Sequence, residues 1–127
     1  MKRIFVTGKR ATDICRGKYI SKIEGLEEFS ELVKIVFKDG SFLEFSHPQD
    51  CSEEVSVDQI DRDPRKVEGS TFLELKVKTE SKKEKSMDYS STWTFYTLIT
   101  SKGFLDFRWG GHSNGHYSEE VNIYYIE

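Results

Sequence analysis

The stretch ELVKIVFKDGSFLEFSH, residues 31–47, carries the pattern that decides the fold. Apolar and polar residues alternate on both sides of the tripeptide KDG, which is typical of two antiparallel strands joined by a tight turn. A two-residue turn would place Ile35 opposite Glu44 and mix apolar with polar residues on one face. A three-residue loop with Gly40 in the left-handed conformation places Ile35 opposite Leu43 instead, which gives one apolar face. We therefore predict the three-residue loop, whose register also pairs Val33 with Phe45 and, as an ion pair, Lys34 with Glu44.

Two further tripeptides that end in glycine, SKG at 101–103 and SNG at 113–115, also separate runs of alternating residues. The same criterion, one apolar face for each strand pair, predicts a three-residue loop at both. At SKG the predicted register pairs Ile99 with Leu105, Thr97 with Phe107 and Phe95 with Trp109, and it sets Tyr96 beside Arg108 on the other face. At SNG the predicted register pairs Leu105 with Ile123, Phe107 with Val121, Arg108 with Glu120 and His112 with His116.

These hairpins predict an antiparallel meander of three strands, 91–100, 104–112 and 116–126. Its buried face is expected to carry Trp93, Phe95, Ile99, Leu105, Phe107, Trp109, Val121 and Ile123. The remaining predicted strands are 18–24, 31–37, 41–47, 53–60 and 72–80, with short helical turns around 11–16 and 61–68. We predict an all-β antiparallel fold, either a small β-sandwich or a partly closed barrel with one or two short helices. A small α+β layer is the alternative.

Length and composition indicate a single domain that spans residues 1–127. Charged residues make up 32% of the chain and the net charge is -3, which is typical of a well-solvated surface. No apolar run approaches the roughly 20 residues that cross a bilayer, and the N-terminal apolar run is too short for a signal peptide. We therefore expect no membrane association and a cytoplasmic location. Residues 81–91, SKKEKSMDYSS, are predicted to be an exposed loop.

The N-terminal segment is strongly basic. Residues 1–22 contain seven Lys and Arg residues and one acid, Asp13. Residues 1–12 could therefore form a basic N-terminal arm. A short basic run without interleaved aromatic residues is a weak footprint for nucleic acid, so nucleic acid is not an expected partner.

The segment HPQDCSEE, residues 47–54, concentrates side chains that could carry chemistry. A thiol close to a histidine could act as a nucleophile, but adjacent carboxylates raise the pKa of a thiol and weaken it. Cys15 and Cys51 are far apart in a sequence that shows no signal peptide, so both are predicted to be free thiols in a reducing compartment, with a disulfide as the alternative. The simpler interpretation of this segment is a loop that begins at His-Pro and is followed by an Asx turn. If the segment instead binds a ligand or a partner, the candidate residues are His47, Gln49, Asp50 and Glu53.

His112 and His116 are the most conspicuous polar side chains near the C-terminus. Two imidazoles on adjacent strands could share a metal ion, but a metal site needs a third ligand and supporting hydrogen bonds. Glu120 lies on the same predicted face, yet Arg108 is its predicted partner. The sequence therefore predicts no metal site and no cofactor, and no Ser/His/Asp arrangement that would predict a catalytic residue is visible.

The predicted row of Tyr96, Arg108 and Glu120 is a third candidate site. An exposed arginine beside an aromatic ring could bind a phosphate or a carboxylate. A cross-strand ladder that only stabilises the sheet explains the same three residues. Both interpretations stay open on the sequence alone.

Three segments, HPQDCSEEVSVDQI, STWTFYTLITSKGFLDFRWGG and SNGHYSEEV, resemble a family of small proteins from bacteriophages and prophages that has no assigned activity. The family pattern reads H-x-Q-D-C-C-E-x-V, then T-W-T-F-Y, K-G, R-W and S-N-G-Y-Y-S, and the likeness covers residues 13–126. The chain departs from the pattern at Ser52, where the family has a second cysteine, and at both histidines near the C-terminus. Among the positions that match, Asn114 and Tyr117 join the candidate binding residues.

These features favour a non-enzymatic binding protein that acts in the cytoplasm of a bacterial host. Such a protein would bind and block a host protein or a defence component, as anti-CRISPR proteins do. The alternative is a small-ligand or nucleotide-binding protein, or a hydrolase, with a polar pocket formed by His47, Asp50, Glu53 and Arg108. The sequence predicts neither the oligomeric state nor the identity of the host target.

Overall fold

The computed structural model describes residues 2–49, 53–84, 89–115 and 118–127. The described strands are β1 (Arg3–Val6), β2 (Tyr19–Glu24), β3 (Leu32–Phe37), β4 (Phe42–Ser46), β5 (Glu54–Ile60), β6 (Ser70–Glu84), β7 (Tyr89–Thr100), β8 (Gly103–Ser113) and β9 (Asn122–Ile126). One α-helix, α1 (Gly8–Cys15), and a 3-10 helix (Pro64–Val67) complete the described secondary structure. They lie close to the two predicted helical turns. Neither described helix is long and apolar enough to cross a lipid bilayer.

The described strands form one antiparallel sheet in the order β1-β9-β4-β3-β2-β6-β7-β8-β5, which is open because β1 and β5 are its edges. The sheet bends so that its two halves face each other across the core. The ring of Phe45 on β4 contacts the rings of Tyr96 on β7 and Phe107 on β8, with centroids 5.0 and 5.6 Å apart. Such edge-to-face aromatic contacts add to the free energy gained by burial alone. The prediction of an all-β antiparallel fold is confirmed.

The β3–β4 hairpin has the predicted register. Val33 pairs with Phe45, Lys34 with Glu44 and Ile35 with Leu43. Gly40 has a φ of 91°, the left-handed conformation that the three-residue loop requires. The Glu44 carboxylate forms an ion pair with Arg3, at 2.9 Å, while the ammonium group of Lys34 lies 4.9 Å from the ring centroid of Phe42.

The β7–β8 turn is one residue shorter than predicted. It contains only Ser101 and Lys102, and the Thr100 hydroxyl closes it. That hydroxyl accepts a hydrogen bond from the amide N–H of Lys102 and donates one to the carbonyl oxygen of Gly103. The threonine side chain thus stabilises a turn length that the apolar pattern alone does not indicate.

The shorter turn exchanges the two faces of β7. Tyr96 and Leu98 point into the core, opposite Phe107 and Leu105. The prediction that Trp93, Phe95 and Ile99 are buried on the core face is wrong, because these residues are only partly buried and lie on the opposite face. Both faces of β7 carry large apolar side chains, so the alternation in its sequence fits either register equally well.

β9 does not continue the meander. β8 lies between β7 and β5, whereas β9 lies between β1 and β4 in the other half of the sheet. The predicted pairs of Leu105 with Ile123, Phe107 with Val121 and Arg108 with Glu120 are therefore wrong, and His116 lies outside the described residues. β5 fits beside β8 because Val55 and Val57 add to the core, while Ile123 and Tyr125 of β9 complete the facing half.

The described part of residues 1–12 belongs to the folded domain and is not a separate basic arm. β1 pairs with β9 and buries Val6 opposite Ile123. α1 follows directly, and the Thr7 hydroxyl caps it by accepting from the amide N–H of Arg10. The apolar run Ile-Phe-Val within this basic segment supplies the strand, so the positive charges lie on a structured surface.

The loop predicted at 81–91 is strand in its described part. β6 extends to Glu84 and β7 begins at Tyr89, so that Ser81 pairs with Thr92. The hydroxyl oxygens of Ser81 and Thr92 are 2.9 Å apart. Residues 81–83 are exposed and add nothing to the core, so the backbone ladder holds this end of the hairpin. Hydrophobic alternation cannot reveal a strand of this kind.

Candidate functional site

His47 and Glu53 form a buried pair at the two ends of the β4–β5 connection. Their side chains are 2% and 1% exposed, and Nε2 of His47 lies 3.5 Å from Oε1 of Glu53. Nδ1 lies 2.6 Å from the carbonyl oxygen of Glu120. Because a carbonyl oxygen only accepts, Nδ1 carries the proton and donates it. The imidazole therefore fastens the β4–β5 connection to the segment that leads into β9.

The other candidates in the 47–53 segment and near the C-terminus have separate positions. Gln49 donates from Nε2 to the carbonyl oxygen of Val55, at 3.1 Å. Asn114 is exposed in the turn after β8. The predictions for Asp50 and Tyr117 fall outside the described residues.

The predicted row of Tyr96, Arg108 and Glu120 does not form. Tyr96 is 1% exposed in the core, where burial raises the pKa of its phenol. Arg108 lies on the opposite face of the same half-sheet, and Glu120 precedes β9 in the other half. The one-residue error in the β7–β8 register and the displacement of β9 together separate the three side chains.

Arg108 instead forms a two-point ion pair with Asp58. Nε donates to Oδ1 at 2.7 Å and Nη2 donates to Oδ2 at 3.2 Å, with both side chains about one third exposed. Asp58 lies at a β-bulge between Val57 and Gln59, where β5 passes β8. A β-carbon on Gly110 would come within 2.6 Å of Oδ2 of Asp58, so this position leaves room for the carboxylate only as glycine. Sequence reasoning identified Arg108 but missed Asp58.

A cross-strand row runs over the solvent-facing side of β6, β7, β8 and β5. Directly paired residues place Lys78, Phe95, Arg108 and Gln59 side by side on this face. The next row contains Lys76, Thr97 and Asp106, in which the Thr97 hydroxyl donates to the Asp106 carboxylate at 2.6 Å. The guanidinium carbon of Arg108 lies 5.9 Å from the ring centroid of Phe95.

These rows line a groove of about 670 Å³, which we call the outer groove. Its lining combines the aromatic ring of Phe95 with charged groups of both signs, Lys76, Lys78, Arg108, Asp61, Glu80 and Asp106. Three of these charges are already paired, since Lys78 lies 3.1 Å from Glu80 and Arg108 binds Asp58. The alternation in predicted strand 72–80 places Lys76 and Lys78 on one face, but the correct register of β7 is needed to bring Phe95 beside them.

A buried carboxylate that sequence reasoning missed lies at the other end of β7 and β8. Glu119 accepts hydrogen bonds from the hydroxyls of Ser90, Ser113 and Thr92, the last at 2.7 Å. Burial alone would raise the pKa of the Glu119 carboxyl. The three hydroxyl donors and the nearby His112 outweigh that effect, and the net pKa lies below the usual 4.5. The cluster fastens the segment before β9 to the β7–β8 pair.

His112 is enclosed by polar and aromatic neighbours rather than by metal ligands. Nδ1 lies 2.8 Å from the Ser91 hydroxyl, the ring of Tyr89 stacks on the imidazole, and Trp93 meets it edge-on. With Gln49 and Glu53, His112 lines a smaller groove of about 420 Å³. Among the described residues, no three His, Cys, Asp or Glu side chains are placed to hold a metal ion. Arg108 lines the outer groove and not this one.

The described residues define a small protein built on a single open antiparallel sheet, with a charged groove on its solvent-facing side. The chain belongs to the family described as a domain of unknown function (DUF7448), whose model matches residues 13–123. Comparison with curated proteins gives no match, and comparison with solved structures gives none either. The expectation of a family without an assigned activity is confirmed.

Proposed function

We propose that this protein is a non-enzymatic binding protein whose partner docks on the outer groove. The observation that carries the proposal is the groove itself, about 670 Å³ in volume and bounded by Phe95, Arg108 and Lys76. Aromatic and arginine side chains dominate the binding energy of many protein interfaces. Here Asp58 holds the guanidinium in place before any partner arrives, so that little side-chain entropy is lost on binding.

The partner that we propose is a host protein in the bacterial cytoplasm, with the chain itself of phage origin. The support is the likeness of residues 13–126 to phage and prophage proteins through the QDCSE, TWTFY, RW and SNG motifs. A small phage protein that binds a host component commonly acts by blocking it, and a defence component such as a CRISPR effector is the target that we favour.

The test is protection of phage from single defence systems. Bacterial strains that each carry one system would express the wild-type chain and would then be challenged with a sensitive phage. Rescue of plating on one strain is expected, and the variant Lys76→Glu with Phe95→Ala should abolish the rescue. Lys66→Glu, which changes an exposed lysine on the 3-10 helix, is the matched charge control and should retain it. Normal rescue by the groove variant would contradict the proposed docking surface.

A small anionic ligand is the second candidate for the same groove. Its volume lies within the roughly 300–1,000 Å³ of typical ligand sites. An aromatic ring between Arg108 and Lys78 could stack on a nucleobase while the cations meet a phosphate. This ligand site differs from the polar pocket predicted from the sequence. Among the described residues of that predicted pocket, only Arg108 lines the outer groove. The resulting activity would be that of a nucleotide sponge or, with bond cleavage, a hydrolase.

Thermal unfolding with a panel of nucleotides separates the two candidates. A ligand that binds only the folded chain raises the unfolding midpoint, and the shift should disappear in the Lys76→Glu, Phe95→Ala variant. Product analysis of the same mixtures distinguishes sequestration from hydrolysis. A flat response across the panel, together with phage rescue, would leave the protein partner as the occupant.

A further inference from the structure

The edge of β6 beyond Val77 is open in the described part of the chain. β2 pairs with β6 only at Ser70 and Thr71. α1 covers the next part of that edge, where the Arg16 side chain donates to the carbonyl oxygen of Leu73. The helix begins against Val77, whose side chain would lie 2.6 Å from a β-carbon on Gly8. From residue 78 to residue 81, β6 pairs with β7 on one side, and no described strand pairs with its other side.

The contacts of α1 show which backbone groups point to this edge. The amide N–H of Leu75 donates to the Thr12 hydroxyl at 2.9 Å, and the Leu75 carbonyl oxygen lies 3.3 Å from the same hydroxyl. Both backbone groups of Leu75 therefore face away from β7. In an antiparallel ladder this orientation repeats at every second residue. The N–H and C=O groups of Val77, Thr79 and Ser81 consequently face the open edge.

A second groove, of about 330 Å³, lies beside this edge on its core-facing side, and we call it the edge groove. Its walls include Phe5 and Val6 of β1 together with Val77 and Thr79 of β6. A strand added to β6 would turn every second side chain towards this groove, because successive side chains alternate between faces. The mainly aliphatic and threonine lining fits small apolar side chains at those positions.

The charges around the edge are mostly positive. Lys78 and Lys83 lie exposed on β6, and Lys9 and Arg10 lie exposed at the start of α1, next to Val77. Glu80 is already paired with Lys78, and Glu120 borders the edge groove. Lysines on an open strand edge oppose pairing with an identical positive edge. The same charges attract an acidic segment, so the edge discriminates in favour of an acidic partner over a second copy of this chain.

We propose that the open edge of β6 binds an extended acidic peptide segment of a protein partner as an additional antiparallel or parallel strand. The segment would alternate small apolar side chains, which enter the edge groove, with acidic side chains that meet Lys78. Backbone hydrogen bonds to Thr79 and Ser81 would supply the sequence-independent part of the affinity. The inference goes beyond the outer groove, because it uses the backbone groups of β6 that face away from β7, although Lys78 borders both surfaces.

The test is a fluorescence-anisotropy titration of the full chain with labelled peptides of about seven residues. One peptide alternates aspartate or glutamate with valine, a second replaces the acids by lysine, and a third has the composition of the first without the alternation. Saturable binding is expected for the first alone, and it should weaken as salt is raised. Equal binding of the first and third peptides, or no saturable binding of the first, would overturn the proposal.

Two substitutions at one position isolate the backbone contribution. Thr79→Pro removes the N–H that faces the open edge and leaves the ladder with β7 intact, whereas Thr79→Val keeps that N–H and replaces only the hydroxyl by a methyl group. Affinity should fall at least about tenfold in the proline variant and stay within about twofold in the valine variant. Circular dichroism and the thermal midpoint check that both variants fold.

An N-methylated peptide provides the same test without altering the protein. Methyl groups on the peptide amides that would face β6 should abolish binding to the wild-type chain, and retained binding would contradict the added strand. Sedimentation equilibrium tests whether a second copy of this chain occupies the edge instead. A dimer of the wild-type chain that Thr79→Pro dissociates would show that the edge pairs with itself, and it would overturn the proposal of an acidic partner. The titration is independent of phage rescue, so each proposal can fail without the other.

Discussion

Arg108 and Asp58 are joined by two parallel hydrogen bonds across the β8–β5 pair, from Nε to Oδ1 and from Nη2 to Oδ2. Arg108→Ala and Asp58→Ala should each lower the free energy of unfolding, and a double-mutant cycle measured by urea denaturation should give a coupling of about 0.5–1 kcal/mol. The coupling is modest because both side chains are about one third exposed. Arg108→Lys should retain less than half of this coupling with Asp58, because an ammonium group cannot form the two parallel hydrogen bonds. A coupling near zero would show that Asp58 does not hold the Arg108 guanidinium in place, which contradicts this part of the proposed site.

Gly110 should tolerate a methyl group only when the Asp58 carboxylate is absent. The added β-carbon would lie 2.6 Å from Oδ2 of Asp58, so Gly110→Ala should destabilise the fold by about 1–3 kcal/mol. Combining it with Asp58→Ala should cost less than the sum of the two single changes. The measurement is again urea denaturation, and strict additivity would show that the carboxylate does not limit this position.

Glu119 should make stability depend on pH in the acid range. Its folded pKa lies below the usual 4.5, so its stabilising contribution is present above that value and is lost as the pH falls through the folded pKa. Glu119→Gln should lower the free energy of unfolding at pH 7 by about 2–3 kcal/mol and flatten its decline at acid pH. The neighbouring exposed Glu120→Gln is the matched control and should change the free energy of unfolding at pH 7 much less.

Cys15 should be unreactive while the protein is folded. The residue is buried in α1 and free, and burial raises the pKa of its thiol to about 12. In a Cys51→Ser background, labelling with a disulfide reagent at pH 8 should therefore proceed at the rate at which the chain opens. Labelling as fast as that of a small thiol would show that α1 separates readily from β6.

Phe45 should be the most sensitive single position for overall stability among the aromatic residues that bridge the two halves. Its ring contacts both Tyr96 and Phe107, so Phe45→Ala should cost about 3–5 kcal/mol. Phe45→Leu should cost less, because it keeps most of the volume. Chemical denaturation of the three proteins measures the difference, and equal costs for the two substitutions would contradict a role for the ring contacts.

The sequence was sufficient where one turn had a single acceptable register. At KDG only the three-residue loop kept Ile35 and Leu43 on the same face, and that register is the one that forms. At SKG the same rule failed because β7 is apolar on both faces and the Thr100 hydroxyl stabilises a shorter turn. The position of β9 depends on contacts that cross the core, which periodicity along the chain does not encode.

The site shows the same division between local and long-range information. Arg108 could be singled out from its aromatic neighbours and the RW motif. Its partner Asp58 could not, because their pairing requires both the β5–β8 register and the bulge after Val57. Nothing in the sequence predicted the buried cluster around Glu119, because its hydroxyl donors Ser90 and Thr92 are separated from it by 29 and 27 residues.

The brief pairing of β2 with β6 has a consequence for how the fold melts. Only Tyr19 with Thr71 and Ile20 with Ser70 are paired there. A second short set of backbone hydrogen bonds, from Phe29 and Ser30 to Val57, also joins the two halves. Backbone connections this short transmit little cooperativity by themselves. All-or-none unfolding should then depend mainly on side chains that pack across the interior, above all the ring of Phe45 against Tyr96 and Phe107. Loosening that interlock should split amide exchange into two separately opening units, one for each half.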